Sequence, residues 1–251
     1  MLVAEEEERI VGYADRWREV DRDRAWFDVA VLPGDATTAE VLLRELETRA
    51  APDVDPGALA MTYVAAVDDT VRGVFEEAGY ELVRHSFRMA RPLDGAHRPE
   101  WPEGIRVATY EPEFEARVHA AHQEAFSDHW EHKHETLEEW RKWLVENPSF
   151  DPMLWFLAWD GDELAGLSLC RTHASGDAEH GFVSVLAVRR QWRRRGLGTA
   201  LLRHSFEEME RRGMRKASLG VDGENTTGAV RLYELAGMTV ERRSDVYRKE
   251  L

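Results

Sequence analysis

The chain of 251 residues predicts an α/β (α+β) fold. Three features of the sequence carry that expectation. Short runs rich in β-branched residues alternate with longer amphipathic runs of helical period. A turn of arginines and glycines joins one such strand to one such helix. The order of elements in the second half also recurs, in shortened form, in the first.

Residues 91–103 hold Pro92, Gly95, Pro99 and Pro102 with little apolar content, and read as a linker. The expected division is a partial first domain over 1–97 and a complete second domain over 103–251. In the second, a strand is predicted at 105–109. A helix follows at about 113–126, with Pro112 near its start. Another at 137–146 is stopped by Asn147 and Pro148. Residues 154–159 and 163–171 read as strands around the turn Asp160, Gly161, Asp162. A β-branched strand lies at 182–188. Residues 200–212 place Leu201, Leu202, Phe206 and Met209 on one helical face, and Gly213 ends that helix. A strand at 217–221, a helix at 227–236 closed by Gly237, and a strand or hairpin half at 238–247 complete the order.

Internal similarity organises the first half. Phe75, Glu76, Glu77, Ala78, Gly79, Tyr80 mirrors Tyr233, Glu234, Leu235, Ala236, Gly237, Met238. Ala30 and Val31 mirror Ala187 and Val188, Leu42 and Leu43 mirror Leu201 and Leu202, and residues 8–12 mirror 162–166. The first copy thus begins at the second strand, as a shortened gene or a displaced start would produce. It is degenerate where chemistry is expected. Pro33, Gly34, Asp35, Ala36, Thr37 and Thr38 replace the arginines and glycines, and Asp35 and Glu40 would repel a phosphate. Phe75 lacks the hydroxyl of Tyr233. The first domain is therefore expected to be non-catalytic.

Composition narrows the function. A formal charge of −15 argues against a nucleic-acid binder. The single cysteine, Cys170, excludes intramolecular disulfides and cysteine-rich metal sites, and fits a reducing compartment. No apolar run approaches the ~20 residues that span a bilayer. The acidic start lacks the apolar core of a signal peptide. These features predict a soluble cytoplasmic protein with no membrane or nucleic-acid partner and no metal; an oligomer is allowed.

The turn after residue 188 is the most informative stretch: Arg193, Arg194, Arg195, Gly196, Leu197, Gly198, Thr199. A strand entering a helix through two glycines aims backbone N–H groups and the helix N-terminus at an anion. Arginines add charge and forked donors. The expected guest is a pyrophosphate. A Walker loop is excluded because no Gly-Lys-Ser/Thr follows, and a dinucleotide fingerprint fits poorly because Leu201 stands where its third glycine belongs.

Arg193, Gly196 and Gly198 in this setting resemble the pyrophosphate motif of the GNAT acyltransferase superfamily. Asn225, Ala229, Leu232, Tyr233 and Gly237 resemble its second motif. The resemblance covers about 104–251, and the tandem arrangement resembles the mycothiol synthase branch. It implies a GNAT acyl-CoA N-acyltransferase fold: a mixed, mostly antiparallel sheet flanked by helices and splayed between its fourth and fifth strands, preceded here by a truncated degenerate copy. It implies acetyl-CoA as co-substrate and an amine acceptor of a small molecule or peptide. The pyrophosphate would be gripped by Arg193, Arg194, Arg195, Gly196, Leu197, Gly198 and Thr199. The pantetheine arm would lie along the main chain of Leu186, Ala187 and Val188, with Asn225 beside it; a helix N-cap is the other role open to Asn225.

Tyr233 is the expected general acid that protonates the departing thiolate. Many relatives carry a glutamate base at the position of Phe182, so a direct carboxylate base is absent there. Ser184 and His180, which share a strand parity, are expected to relay the proton through water; Glu179 and His173 are further candidates. His129, Trp130, His132, His134, Trp140 and Trp143 read as a helix–loop–helix lining the acceptor pocket, because their spacing is no standard zinc pattern. Trp140 and Trp143 also suit a core. The leading expectation is transfer of an acetyl group by direct attack of a neutral amine, with a backbone N–H near Val188 polarising the carbonyl. The alternative is a non-catalytic acyl-CoA-binding or sensor protein.

Overall fold

The computed structural model describes all residues except 20–22, 96–97, 131, 173 and 226–227, together with the Ser175 side chain. The strands and helices are β1 (Leu2–Glu6), β2 (Arg9–Glu19), β3 (Arg24–Val31), α1 (Ala36–Ala50), β4 (Leu59–Ala65), α2 (Asp69–Glu77), β5 (Glu81–Pro92), β6 (Ile105–Thr109), α3 (Glu115–Phe126), α4 (Leu137–Leu144), β7 (Trp155–Asp160), β8 (Glu163–Arg171), β9 (His180–Val188), α5 (Leu197–Arg211), β10 (Lys216–Asp222), α6 (Ala229–Leu235) and β11 (Thr239–Glu250). From β6 onward this is the expected order.

The chain forms two compact units: residues 1–87 with 222–224 and 242–251, and residues 88–221 with 225–241. They differ from a contiguous division at 97 and 103 because strands go where their edges are paired. Most of β11 pairs antiparallel with β4, from Ser244↔Ala65 to Glu250↔Leu59, and so completes the first unit. The end of β5 belongs to the second. Arg91 and Pro92 are strand rather than linker, and Leu93 N–H donates to the Arg215 carbonyl at 2.8 Å.

The first unit carries the order β1-β2-β3-β4-β11-β5, and the second β5-β10-β9-β8-β7-β6. In each, three antiparallel strands lead through a helix to a strand that pairs parallel with the third: β1-β2-β3 then β4, and β7-β8-β9 then β10. The repeat reaches atomic detail. Gly12 pairs Val31, and a Cβ on it would meet Leu42 Cδ1 at 3.1 Å. Gly166 pairs Val188, and a Cβ there would meet Leu201 Cδ1 at 3.1 Å. Tyr80 N–H closes α2 on the Phe75 carbonyl, and Met238 N–H closes α6 on that of Tyr233, each at 3.0 Å and each past a glycine of positive φ.

In the second unit, one sheet face packs Trp155, Leu157, Trp159, Leu167, Leu169, Val185 and Ala187 against Val118 and Ala121 of α3 and Trp140 of α4. Trp140 is core, as its spacing allows, whereas Trp143 is exposed. Thr136 and Glu139 form a capping box that starts α4. The other face is covered by α5, whose Leu201, Leu202, Phe206 and Met209 are buried as the helical period requires. This helix begins at Leu197, earlier than expected, because Gly196 takes φ +82° and serves as its N-cap. The helix expected from residue 227 begins at Ala229, after Gly228 with φ +80°; residue 227 lies outside the described residues.

Candidate active site

Strand β9 is paired along one edge and half-open along the other. Its ladder with β8 runs from Arg171↔Phe182 to Gly166↔Val188. Its parallel ladder with β10 starts at Lys216↔His180 and stops at Leu219↔Val183. Beyond that point β9 and β10 part, leaving Leu186, Ala187 and Val188 without a β10 partner, where the expected splay lies. The register against β8 shifts between Leu169 and Cys170, so that Val183 and Val185 are paired and Ser184 is the extra residue of a β-bulge. A bulge placed where the two strands diverge lets β9 bend away.

The loop after Val188 is built by its own arginines. Arg189 Nε lies 2.6 Å from Glu124 Oε2, and Arg190 2.5 Å from Asp128 Oδ1. Arg193 donates from Nε to the Val188 carbonyl at 3.1 Å and from Nη2 to the Ala125 carbonyl at 3.0 Å. The first two guanidinium groups thus pair with Glu124 of α3 and with Asp128, two residues beyond its end, and the third ties the loop to the end of that helix. Arg194 and Arg195 are exposed and, among the described residues, have no ion-pair or hydrogen-bond partner. Arg194 takes a left-handed φ of 62°. The N–H groups of Arg194, Arg195, Gly196, Leu197, Gly198 and Thr199 meet no acceptor among the described residues. The N-terminus of α5 carries no side-chain cap and no acid in its first turn. A donor-rich, uncapped turn with two free guanidiniums is the chemistry an anion requires.

The first unit supplies the contrast. At the equivalent helix start, Asp35 caps α1 by accepting from Thr38 N–H at 3.0 Å. The carboxylate takes the place an anion would fill.

Gly198 is held by packing as well as by the turn, since a Cβ on it would meet Leu232 Cδ1 of α6 at 3.0 Å. Helix α6 places Tyr233, which is buried, with its pKa pushed up to about 12 by burial. Among the described residues its hydroxyl has no hydrogen-bond partner. Asn225 lies half-buried between β10 and α6. It is not the helix cap, because Gly228 holds that position.

The proposed relay pair is not brought together in register. His180 is buried and its Nε2 lies 2.7 Å from Ser218 Oγ on β10. Burial lowers its pKa. Ser184 is exposed, and because it is the bulge residue the alternation linking it to His180 is broken. Glu179 is exposed and lies 3.3 Å from Arg215; His173 lies outside the described residues. Phe182 occupies the position where the resemblance would place a carboxylate base, with the guanidiniums of Arg171 and Arg88 at 4.8 and 5.1 Å from its ring centroid. Arg88 comes from β5, and nothing in local sequence pointed to it; the only signal was that the end of the first copy had to pair somewhere.

In the histidine-rich segment, Trp140 Nε1 donates to His122 Nδ1 at 2.9 Å, and His119 Nε2 lies 2.8 Å from the Glu135 carbonyl. No cluster suited to a metal occurs among the described residues.

A β-bulge at a strand divergence, followed by an uncapped turn rich in N–H donors, places an anion-suited turn at one end of a split sheet. Residues 116–238 match the Acetyltransferase (GNAT) family model. The chain is 31% identical to the GCN5-related N-acetyltransferase from Sphaerobacter thermophilus, with a TM-score of 0.85, covering 97% of this chain and 78% of that one. A tandem GNAT protein from the clavulanic acid biosynthesis pathway shares the fold at 16% identity, with a TM-score of 0.78 over 99% of this chain and 81% of that one. The mycothiol acetyltransferase of Thermobispora bispora is 37% identical over 176 residues, 68% of this chain and 59% of that protein. That of Catenulispora acidiphila is 37% identical over 174 residues, 67% and 54%. The matches thus take in little more than half of these two curated relatives. The chain belongs to the GNAT acetyltransferase family.

Proposed function

We propose that the second unit transfers an acetyl group from acetyl-CoA to a primary amine of a small molecule or peptide. One observation carries this reading: the unpartnered N–H groups of 194–199, with Arg194 and Arg195, lie at the end of the strand whose open edge leads into the gap beside β10. The turn would hold the pyrophosphate of CoA. The open edge at Leu186, Ala187 and Val188 would align the pantetheine arm, with Asn225 beside it. Arg193 would act through its position, by holding the loop. Tyr233, kept neutral by burial, would protonate the departing thiolate. A backbone N–H of the open edge would polarise the thioester carbonyl.

The family and the names of the curated relatives support acetyl as the donor group. The first unit, with its helix start closed by Asp35, would be non-catalytic. No helix among the described residues is long and apolar enough to cross a membrane, and a cytoplasmic enzyme without a nucleic-acid partner fits the acidic charge. Calorimetry with CoA and acetyl-CoA, followed by thiol release across a panel of amines, tests the proposal. Micromolar binding with turnover is the expected result, and absence of any CoA binding would overturn it.

Phe182 favours a second reading, an acyl-CoA-binding sensor, because no carboxylate occupies the base position. Tight CoA binding without thiol release from any amine would select it.

A further inference from the structure

We propose that Arg88 and Arg171 form an anion subsite for the acceptor, so that the amine acetylated here carries a carboxylate or phosphate group. The inference rests on the acetyltransferase reading and deepens it.

Arg171 and Phe182 are direct cross-strand partners on β8 and β9, and Phe182 pairs Ser218 on β10. Cross-strand partners share a sheet face. Arg88 reaches over β10 from β5, the next strand in the sheet, to the same ring. A row therefore runs across the sheet with an arginine at each end and a phenyl ring between. It lies one pair before the Leu219↔Val183 step where β9 and β10 part. If the CoA arm runs from the turn after Val188 along the open edge, this row meets the far end of the gap, where an acceptor must present its nitrogen.

The charge at this row is unbalanced. Neither Arg88 nor Arg171 has an ion-pair or hydrogen-bonding side-chain partner among the described residues, although the chain carries 48 acidic side chains against 33 basic ones. The carboxylate of Glu241, close enough to be influenced by Arg88, is bound by Lys216. His180 turns its Nε2 to Ser218. Two guanidiniums drawn to one ring repel each other, and a cation–π contact at an exposed site offers each only about 0.5–1 kcal/mol. A carboxylate or phosphate at the edge of the Phe182 ring would offset this positive charge and accept forked guanidinium donors in place of a weak π contact. Phe182 contributes in a second way. A glutamate at its position would neutralise the pair and exclude an anion, whereas a phenyl ring does neither.

Matched acceptors separate the two charge classes. α-Amino acids are compared with their carboxamides, and glucosamine 6-phosphate with glucosamine, at saturating acetyl-CoA. The acid-bearing member of at least one pair is expected to be preferred about tenfold or more in kcat/KM; which pair responds distinguishes carboxylate from phosphate. Arg171→Gln and Arg88→Gln should each raise KM for that acceptor about tenfold while leaving kcat and the KM of its neutral counterpart nearly unchanged. Phe182→Glu should invert the preference. Equal use of neutral and anionic members, or no use of any anionic member, would overturn the proposal. Calorimetry with CoA on the same preparation reports separately on the acetyltransferase reading.

Discussion

Arg193 Nε donates to the carbonyl of Val188, five residues back, at 3.1 Å, while its Nη2 holds the Ala125 carbonyl at the end of α3. One side chain thus fixes the turn from strand to helix and leaves its neighbours to meet the ligand. Arg193→Ala should lower stability by about 1–3 kcal/mol through two carbonyls left without a donor, and should weaken CoA binding as a consequence. Arg193→Lys should not restore either, since an ammonium cannot span both carbonyls in one plane. Arg194→Gln and Arg195→Gln should leave the melting temperature within about 2 °C, because exposed substitutions change stability little. Each should weaken CoA binding several-fold at low salt and less at high salt. Calorimetry at two ionic strengths, with thermal melts of the same variants, checks all four.

The glycines of the turn separate in the same way. Gly196 at φ +82° has open space around it, so Gly196→Ala strains the backbone, at about 1–2 kcal/mol, without a clash. Gly198 has the opposite problem: an added Cβ meets Leu232 Cδ1 at 3.0 Å and pushes α6, and Tyr233 with it. Gly198→Ala should therefore lower kcat as well as CoA affinity. Gly198→Ala combined with Leu232→Ala should recover part of the loss in kcat. No recovery in the double variant would show that the clash is not the cause.

Much of this site was legible in the chain itself. The arginine–glycine turn, the order of elements from β6 to β11 and the degenerate first copy all follow from local chemistry: glycines where φ is positive, apolar residues at helical or strand period, Asp35 where an anion would sit. Pairing was not legible. A strand's sequence states which faces are buried but not whose edge it joins, so β11 completing the first unit was missed, as was Arg88 of β5 reaching Phe182. The bulge at Ser184 was missed for a related reason. Alternation in β9 looks regular when β9 is read alone, and the extra residue exists only relative to β8. Period-two alternation alone puts Ser184 and His180 on one face, and the bulge against β8 breaks that alternation. Arg193 misled in a different way: its spacing to Gly196 is that of the motif, and sequence cannot say whether a guanidinium turns to a ligand or to the protein's own carbonyls.

Tyr233 has a pH signature. Burial raises its pKa from about 10 to about 12, so the phenol stays protonated throughout the working range. If it is the acid, kcat should not fall between about pH 9 and 10.5, where an ordinary tyrosine would lose its proton. Tyr233→Phe should reduce kcat about 10²–10⁴-fold and leave the Kd for CoA nearly unchanged. The same shift has a stability consequence. Because the folded value lies above the unfolded one, this contribution is full below pH 10 and is lost as pH rises towards 12, at up to about 1.4 kcal/mol per unit. Tyr233→Phe should flatten that alkaline decline. A variant with full kcat, or with an unchanged alkaline slope, would remove Tyr233 from the acid role or from the linkage respectively.

His122 gives the acid counterpart. Burial lowers its pKa to about 4, with the positive fields of His119, His132 and His129 acting in the same direction. Its Nδ1 accepts the indole N–H of Trp140, the largest fully buried side chain, so only an unprotonated Nδ1 serves. The folded value lies below the unfolded value near 6.5. The contribution is therefore fully present above pH 6.5 and is lost as pH falls towards 4, again at up to about 1.4 kcal/mol per unit. His122→Gln keeps an acceptor for the indole and does not titrate, so it should hold near-neutral stability and reduce the loss between pH 6 and 4. His122→Leu should instead destabilise at every pH, by about 1–3 kcal/mol, because the indole N–H is left buried and unsatisfied. Urea unfolding at pH 7, 6, 5 and 4 for the three proteins measures both effects. If His122→Gln and the parent chain lose stability in parallel across that range, the acid sensitivity lies elsewhere in the unit.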